Sequence, residues 1–371
     1  MIVRSFFALM MAMAAASAAA AQPAGTSAPA ATSAQTCTPA GGLDFVCGVE
    51  RPEDIVPIPG TRWLIAGGMS PGGGMKLIDT AAKTARPFFT GAASQLRPDT
   101  KAFANCPAAP DVKTFRTHGL YLRAQGEGRY NLYAVSHGDL EAVQVFTLDA
   151  RGDTPLLAWI GCAPTPAGYI GNGVAAFSDG TILVTVGGRP GTTKAQELAG
   201  LPVGNVLERT PGAAIFEVMA GAEMAGNNGI EISRDEREFY VVGFGSQTVA
   251  AFSRAAPQTA LRQTRAPGFM PDNLRWSGNR LIAAGPMYDE PACGGTRLAA
   301  VANPTRSRCR RGYMVAELDP VSMTWKVLDY AVANPSITGI SVAAIIEDTL
   351  WIGATTTGGV AYKRLPAPPA E

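Results

Sequence analysis

From about residue 40 onward, short apolar runs recur along the chain, each bounded by Gly, Pro, Asp or Asn: 63–66, 132–135, 143–148, 181–186, 239–242, 249–252, 281–284 and 349–352. Their length and composition predict strands. Several belong to one repeated phrase: a small-apolar strand, a turn such as Ser178-Asp179-Gly180, Ser233-Arg234-Asp235 or Ser277-Gly278-Asn279, then a second apolar strand. The polar residue at the head of each unit (Asp54, His118, Asn172, Asn228, Asn273 and the region of Ser341) returns at roughly 45 to 68 residues, the period of propeller blades. Six such marks predict an all-β, six-bladed β-propeller over residues 37–365. A β-sandwich also yields many short strands, but it does not set a polar residue at the head of every unit. Helical signal is confined to 193–201, inside a stretch, 187–212, that interrupts two strands and reads either as a lid or as a surface excursion.

The ends of the chain read differently. One positive charge at Arg4, an apolar run over 6–16 and Ala19-Ala20-Ala21 before Gln22 predict a secretory signal peptide over 1–21. That apolar run is shorter than the roughly 20 residues a membrane span needs. Residues 22–36 are almost wholly Ala, Pro, Ser, Thr, Gly and Gln and predict a disordered leader, and 366–371 form a Pro/Ala-rich tail. The expected location is periplasmic or secreted, with no stable membrane anchor after signal cleavage. A net charge of +1 and the lack of a basic stripe argue against a nucleic-acid partner. The six cysteines of an exported chain point to disulfides rather than a thiolate metal site. Fifteen connectivities are open, and the sequential set is preferred: Cys37 with Cys47, Cys106 with Cys162, and Cys293 with Cys309, the last stapling a loop that holds Arg306, Arg308, Arg310 and Arg311.

Candidate chemistry begins with scarcity. The chain has two histidines, His118 and His137, so acid–base work near neutral pH has two imidazoles to draw on. In a propeller the first residue of each innermost strand faces the axial channel at one end, so Glu53, Asp54, Asn172, Asn228, Asp272 and Asn273 converge despite their distance in sequence. Glu53, Asn172, Asn228, Asp272 and Asn273 offer carboxylate and amide oxygens of the kind that suit Ca²⁺, with positions left open for water or a substrate oxygen. Zinc is disfavoured because no thiolate or histidine cluster is present. Each piece alone also has a plain structural reading. Asn172-Gly173 and Asn228-Gly229 are hairpin-turn signals, Glu53-Asp54 suits a helix cap or a solvated surface, and each histidine suits a packed core. Recurrence at the head of apolar strands favours the site.

With these residues in place, the sequence resembles the paraoxonase, arylesterase and gluconolactonase-like (senescence-marker-protein-like) group of calcium-dependent six-bladed propellers, most closely its bacterial lactonase-like branch, over about 49–365. The phrases that carry the resemblance are Glu53-Asp54-Ile55, His118-Gly119-Leu120, Val135-Ser136-His137-Gly138 with Glu141-Ala142-Val143-Gln144-Val145-Phe146, Asn172-Gly173-Val174, Asn228-Gly229-Ile230-Glu231-Ile232-Ser233, and Pro271-Asp272-Asn273-Leu274-Arg275-Trp276. The resemblance implies that Glu53, Asn172, Asn228, Asp272 and Asn273 bind a catalytic calcium, that His118 and His137 form a dyad that activates water, and that the substrate is a small-molecule lactone or aryl ester. It also implies a structural calcium held by Asp54, a carbonyl near Leu120 and an Asp after the third-blade Asn. This chain has Gly173 at that last position, which puts the second ion in question.

Animal members of the group close the ring with a disulfide, whereas no cysteine follows Cys309, so closure here is expected from strand pairing or another bridge. Residues 187–212 fall where paraoxonases carry a helix over the active site, and Leu198, Leu201 and Val203 in that stretch point to a hydrophobic acyl or aryl group. Three other readings compete. A serine hydrolase is disfavoured on the expectation that no Gly-x-Ser-x-Gly elbow with a following histidine is present, and because both histidines precede most serines. A non-catalytic exported propeller would bind a small ligand or protein partner at the same mouth. A strictosidine-synthase-like lyase is expected to lack the oxygen-rich set.

Overall fold

The computed structural model describes residues 37–301, 309–333 and 335–366. The signal peptide, the leader, nearly all of the Pro/Ala-rich tail, Arg306 and Arg308 lie outside the described residues.

Each predicted run lies in or at the edge of a strand, and among the described residues the strands form six four-stranded antiparallel sheets and one two-stranded pair, Asp289–Glu290 with Gly295–Thr296. The first blade runs Ile55–Pro57, Trp63–Gly68, Gly74–Asp79 and Thr84–Pro87 from axis to rim. The innermost strands of the next five are Arg116–Gly126, Gly171–Ala176, Asn227–Ile232, Leu274–Ser277 and Ile340–Ile346. The turns use the expected chemistry: Asp179 accepts from the Thr181 amide at 2.9 Å, and the Ser233 hydroxyl donates to Asp235 at 2.7 Å.

Burial explains why the strands read as continuous apolar runs. Trp63–Gly68 and Ile182–Val186 are covered on both faces by neighbouring blades, whereas the rim strand Ala260–Arg265 alternates half-buried and exposed positions. The hydrophobic clusters fill the wedges between blades. One joins the first and second blades through Ile65, Leu77, Phe115 and Phe146, and another joins the sixth and first through Ile55, Leu64, Val342 and Trp351.

Strand pairing closes the ring, as expected. Asp44–Cys47 pairs antiparallel with Gly359–Arg364, so the first strand among the described residues completes the last sheet. All three sequential disulfides are present, and Cys37–Cys47 pins that closing strand. Disulfides of this number belong to an oxidising compartment. No helix among the described residues is long and apolar enough to cross a membrane.

The interrupting stretch is shorter than its sequence suggests. Asn205–Arg209 is the third strand of the third blade, and the helix is the single turn Lys194–Leu198. Thr193 caps it in a reciprocal box with Gln196. A second excursion, between Arg280–Pro286 and Tyr313–Leu318, carries the helix Arg297–Val301 and the Cys293–Cys309 bridge. The two helices pack against each other, and both loops leave from the end of the sheets where the innermost strands begin.

Candidate active site at the axial mouth

The heads of the inner strands are bulged. Pairing with the second strand shifts register between Thr117 and Leu120, between Gly171 and Val174, and between Asn227 and Ile230, so His118-Gly119, Asn172-Gly173 and Asn228-Gly229 each fall in an irregularity. Bulges re-aim side chains beside active sites. The two Asn-Gly pairs therefore lie within strands, not in hairpin turns. The glycines answer a packing demand around the axis. A Cβ on Gly119 would lie 2.5 Å from the Asn172 carbonyl oxygen, one on Gly173 2.8 Å from that of Asn228, and one on Gly229 2.6 Å from that of Asp272. Each glycine admits the backbone of the next blade, and that convergence gathers the polar heads.

Two systems meet there. The first is a hydrogen-bonded relay: Glu141 Oε2 lies 2.7 Å from His137 Nδ1, His137 Nε2 lies 2.9 Å from His118 Nδ1, and His118 Nε2 lies 3.5 Å from Glu53 Oε1. The second is a set of oxygens with nothing to bond. Among the described residues, the buried side-chain oxygens without a hydrogen-bond partner are Glu53 Oε2, Asn172 Oδ1, Asn228 Oδ1, Asp272 Oδ1 and Asn205 Oδ1. Four of these belong to residues singled out from sequence as calcium ligands. Asn273, the fifth such residue, donates its amide to Glu53 Oε1 at 2.9 Å and so orients that carboxylate. The Glu53 carbonyl accepts from the Ser341 hydroxyl at 2.6 Å, which ties the sixth blade to the first.

Such orphaned buried oxygens cost about 1–3 kcal/mol each when nothing compensates them. Burial and the like charge of Glu53 push the Asp272 carboxyl well above the usual range, opposed by His118 and by Lys194 in the first turn of the short helix. Burial alone would lower His118, but Glu53, with Asp272 and Asp54 behind it, lifts it above the ordinary imidazole value. Acidic and amide oxygens that crowd together unpaired suit a hard cation with oxygen ligands. Among the described residues no three His, Cys, Asp or Glu side chains cluster as a metal site of their own, so amide oxygens complete any set here.

Asp54 and Leu120 belong to a different layer. Asp54 accepts from the Ile55 amide at 2.8 Å and the Leu120 amide at 2.6 Å, and it pairs with the buried guanidinium of Arg275. The same guanidinium donates to the carbonyls of Leu120 at 2.8 Å and Ile55 at 2.9 Å, and reaches Glu231 at 3.4 Å. Burial pushes both Asp54 and Glu231 up to about 7, against the pull of Arg275.

Arg275, Glu231 and Glu141 stand in the phrases quoted from the sequence but carry no assigned role there. Arg275 sits two residues after Asn273, and the two-residue strand period puts it on the same axial face. Glu141 lies across a short hairpin from His137, a proximity that the hairpin's length makes available. The loop residues Leu198 and Val203 are buried, Leu198 against Phe244 and Met270, so their apolar character anchors the helix and leaves only Leu201 exposed. The helix fits because Gly226 and Gly245 offer no side chain where Glu197 lies against them. Arg310 and Arg311 bond backbone carbonyls of Pro335, Ser336, Gly295 and Thr296. The chain does hold one Gly-x-Ser-x-Gly string, Gly68-Met69-Ser70-Pro71-Gly72. It forms the turn between two antiparallel strands of the first blade, and no hydrogen bond joins Ser70 to either histidine.

No protein-family model and no curated protein matches the sequence. Among solved structures, a gluconolactonase from Xanthomonas campestris aligns over 87% of this chain and 89% of its own, at 16% identity and a TM-score of 0.50. A luciferin-regenerating enzyme aligns over 88% and 95%, at 13% identity and 0.49. A PQQ-bound aldose sugar dehydrogenase from Streptomyces coelicolor aligns over 89% and 99%, at 11% identity and 0.46. At these identities the likeness is one of fold, and the fold is a six-bladed β-propeller.

Proposed function

We propose that this chain is an exported, calcium-dependent hydrolase that opens a lactone or cleaves an aryl ester at the axial mouth. The observation that carries the reading is the group of orphaned buried oxygens on Glu53, Asn172, Asn228 and Asp272 beside a histidine relay. These four residues would hold the ion, with Asn273 orienting Glu53. A calcium ion bound there supplies a fixed positive charge that polarises a carbonyl and stabilises the oxyanion.

The protein's own groups do the rest. A carboxylate on Glu141 accepts a hydrogen bond, so His137 carries its proton on Nδ1 and offers a lone pair at Nε2. His118 then donates from Nδ1, and its Nε2, facing the oxygen cluster, is the atom that exchanges protons. His118 Nε2 takes a proton from the attacking water, the water oxygen bonds to the carbonyl carbon, and the proton passes to the leaving oxygen as the carbon–oxygen bond breaks. The small-molecule substrate class and the gluconolactonase-like fold agree with this assignment, and the disulfides agree with a periplasmic or secreted location.

The test is a panel of aliphatic lactones, sugar lactones and phenyl acetate assayed with calcium and with a chelator. Turnover of at least one substrate that collapses in chelator and returns with calcium is the expected result. Full activity in chelator removes the metal's role, and no turnover across the panel removes the reaction.

A further inference from the structure

Directly beside the orphaned oxygens, the axis holds a charged layer with a cation of its own. Arg275 comes from the fifth blade and bonds Asp54 and the Ile55 carbonyl of the first, the Leu120 carbonyl of the second and Glu231 of the fourth, so one guanidinium ties together four blades. Asp54 and the Leu120 carbonyl are the groups that the family resemblance assigns to a second, structural ion. The remaining ligand of that ion has no room here, because a Cβ at position 173 would press on the Asn228 carbonyl. The Thr185 hydroxyl fills the spot instead, accepting from the Gly173 amide at 2.8 Å and donating to the Asn228 carbonyl.

We infer that Arg275 is a built-in substitute for a second metal ion, a covalently attached cation that braces the axis so that the fold needs no ion in this layer. A guanidinium suits the task. It is planar, always charged and carries five donors in a fixed fork, so it can bond carboxylates and carbonyls in several directions at once. An ion there would have to displace it from Asp54, Leu120 and Ile55 together. Three of those four blades carry a group of the mouth within two residues, since Glu53 precedes Asp54, His118 precedes Leu120 by two and Asn273 precedes Arg275 by two, and in the remaining one Asn228 precedes Glu231 by three. Arg275 is therefore also a positioning residue for the mouth.

The inference stands apart from the proposed reaction, and its test reads binding and unfolding rather than turnover. Calorimetric titration of the metal-free protein with calcium is expected to find one ion per chain, lost in Asp272→Asn and kept in Asp54→Asn. Thermal unfolding in chelator is expected to remain cooperative for the natural chain. Arg275→Ala is expected to unfold at a clearly lower temperature and to gain more from added calcium than the natural chain does, since its vacated site would be lined by Asp54, Glu231 and two carbonyls. Arg275→Lys is expected to fall between the two, and it decides the matter if the alanine variant does not fold. Two ions in the natural chain, one of them lost in Asp54→Asn, overturn the inference, as does an Arg275→Ala or Arg275→Lys protein with unchanged melting. If no ion binds at all while the arginine variants still melt early, the proposed metal site falls and the role of Arg275 stands.

Discussion

Two layers of polar residues face the axis of this propeller on the same inner strands, and they are finished in opposite ways. In the mouth, Glu53, Asn172, Asn228 and Asp272 each leave a buried oxygen without a partner. One step further along the strands, Asp54, Glu231 and Arg275 leave no buried polar atom unpaired. Both layers are rich in charge and in both the polar atoms concerned are buried, so composition and the burial of those atoms do not tell them apart. The completeness of hydrogen bonding does. A fold that carries several orphaned oxygens in one small space tolerates a cost of a few kcal/mol that a ligand is needed to remove. A fold that closes its charges upon a guanidinium has already met that demand internally, and such a layer serves architecture.

The sharpest way to break this comparison is to take charge out of the mouth. Glu53→Gln keeps the shape and the acceptor for Asn273, but it halves the carboxylate charge that Glu53 and Asp272 share. If the mouth is built for a cation, hydrolysis should fall by about 10³-fold, the scale of losing a principal electrostatic stabiliser. The metal-free protein should meanwhile become more stable by about 1 kcal/mol, because the like-charge contact that raises Asp272 is relieved. Kinetics and calorimetry on the same preparation check both halves. A variant that is merely less stable, or one that keeps its activity, removes the distinction between the layers.

The second test strikes the closed layer. Arg275→Met preserves the bulk of the side chain and strands two buried carboxylates, and removing one partner of such a buried set costs about 3 kcal/mol or more. The loss should appear in chelator as well as in calcium, since it belongs to the fold. A loss seen only in calcium would make Arg275 an accessory of the mouth.

This contrast also marks what was legible in the chain. Six blades could be read because each inner and middle strand is buried on both faces and therefore spells an apolar run, and because a polar head interrupts each unit. Convergence of Glu53, Asn172, Asn228 and Asp272 followed from that topology. What could not be read was how satisfied each group would be. Asn172-Gly173 looks the same in sequence whether it turns a hairpin or forms a bulge that admits the Asn228 backbone, and only the approach of the neighbouring blade decides. Arg275 was visible as a charge in an apolar strand, but its partners lie more than 40 residues away in three other blades. The stretch 187–212 merged a loop with the strand Asn205–Arg209 because its glycines and prolines masked the short run Asn-Val-Leu. Leu198 and Val203 read as substrate-facing because sequence does not record that Phe244 and Met270 lie beneath Leu198 or that Val203 is buried as well.

The smallest expected effect lies at the outer end of the relay, where Glu141 is about a third exposed, with 36% of its side-chain surface open, while His137 is buried. Solvent screens the Glu141 charge, so its electrostatic help to a protonated dyad is modest. Its geometric help is not screened: as an acceptor it holds the His137 proton on Nδ1, and through His137 it fixes which nitrogen of His118 faces the mouth. Glu141→Gln retains an acceptor at that place and should lower kcat by only about 10-fold, near the bottom of the range for groups that orient a reacting residue. Glu141→Ala frees the His137 ring to adopt either tautomer and should lower kcat further, to about 100-fold, with KM, calcium affinity and melting temperature little changed in both. That ordering separates the two contributions. Equal losses in the two variants would mean that charge alone matters and that the tautomer chain from Glu141 to His118 does not operate, whereas a parallel fall in calcium affinity would place Glu141 in the architecture of the mouth and leave the relay without its outer anchor.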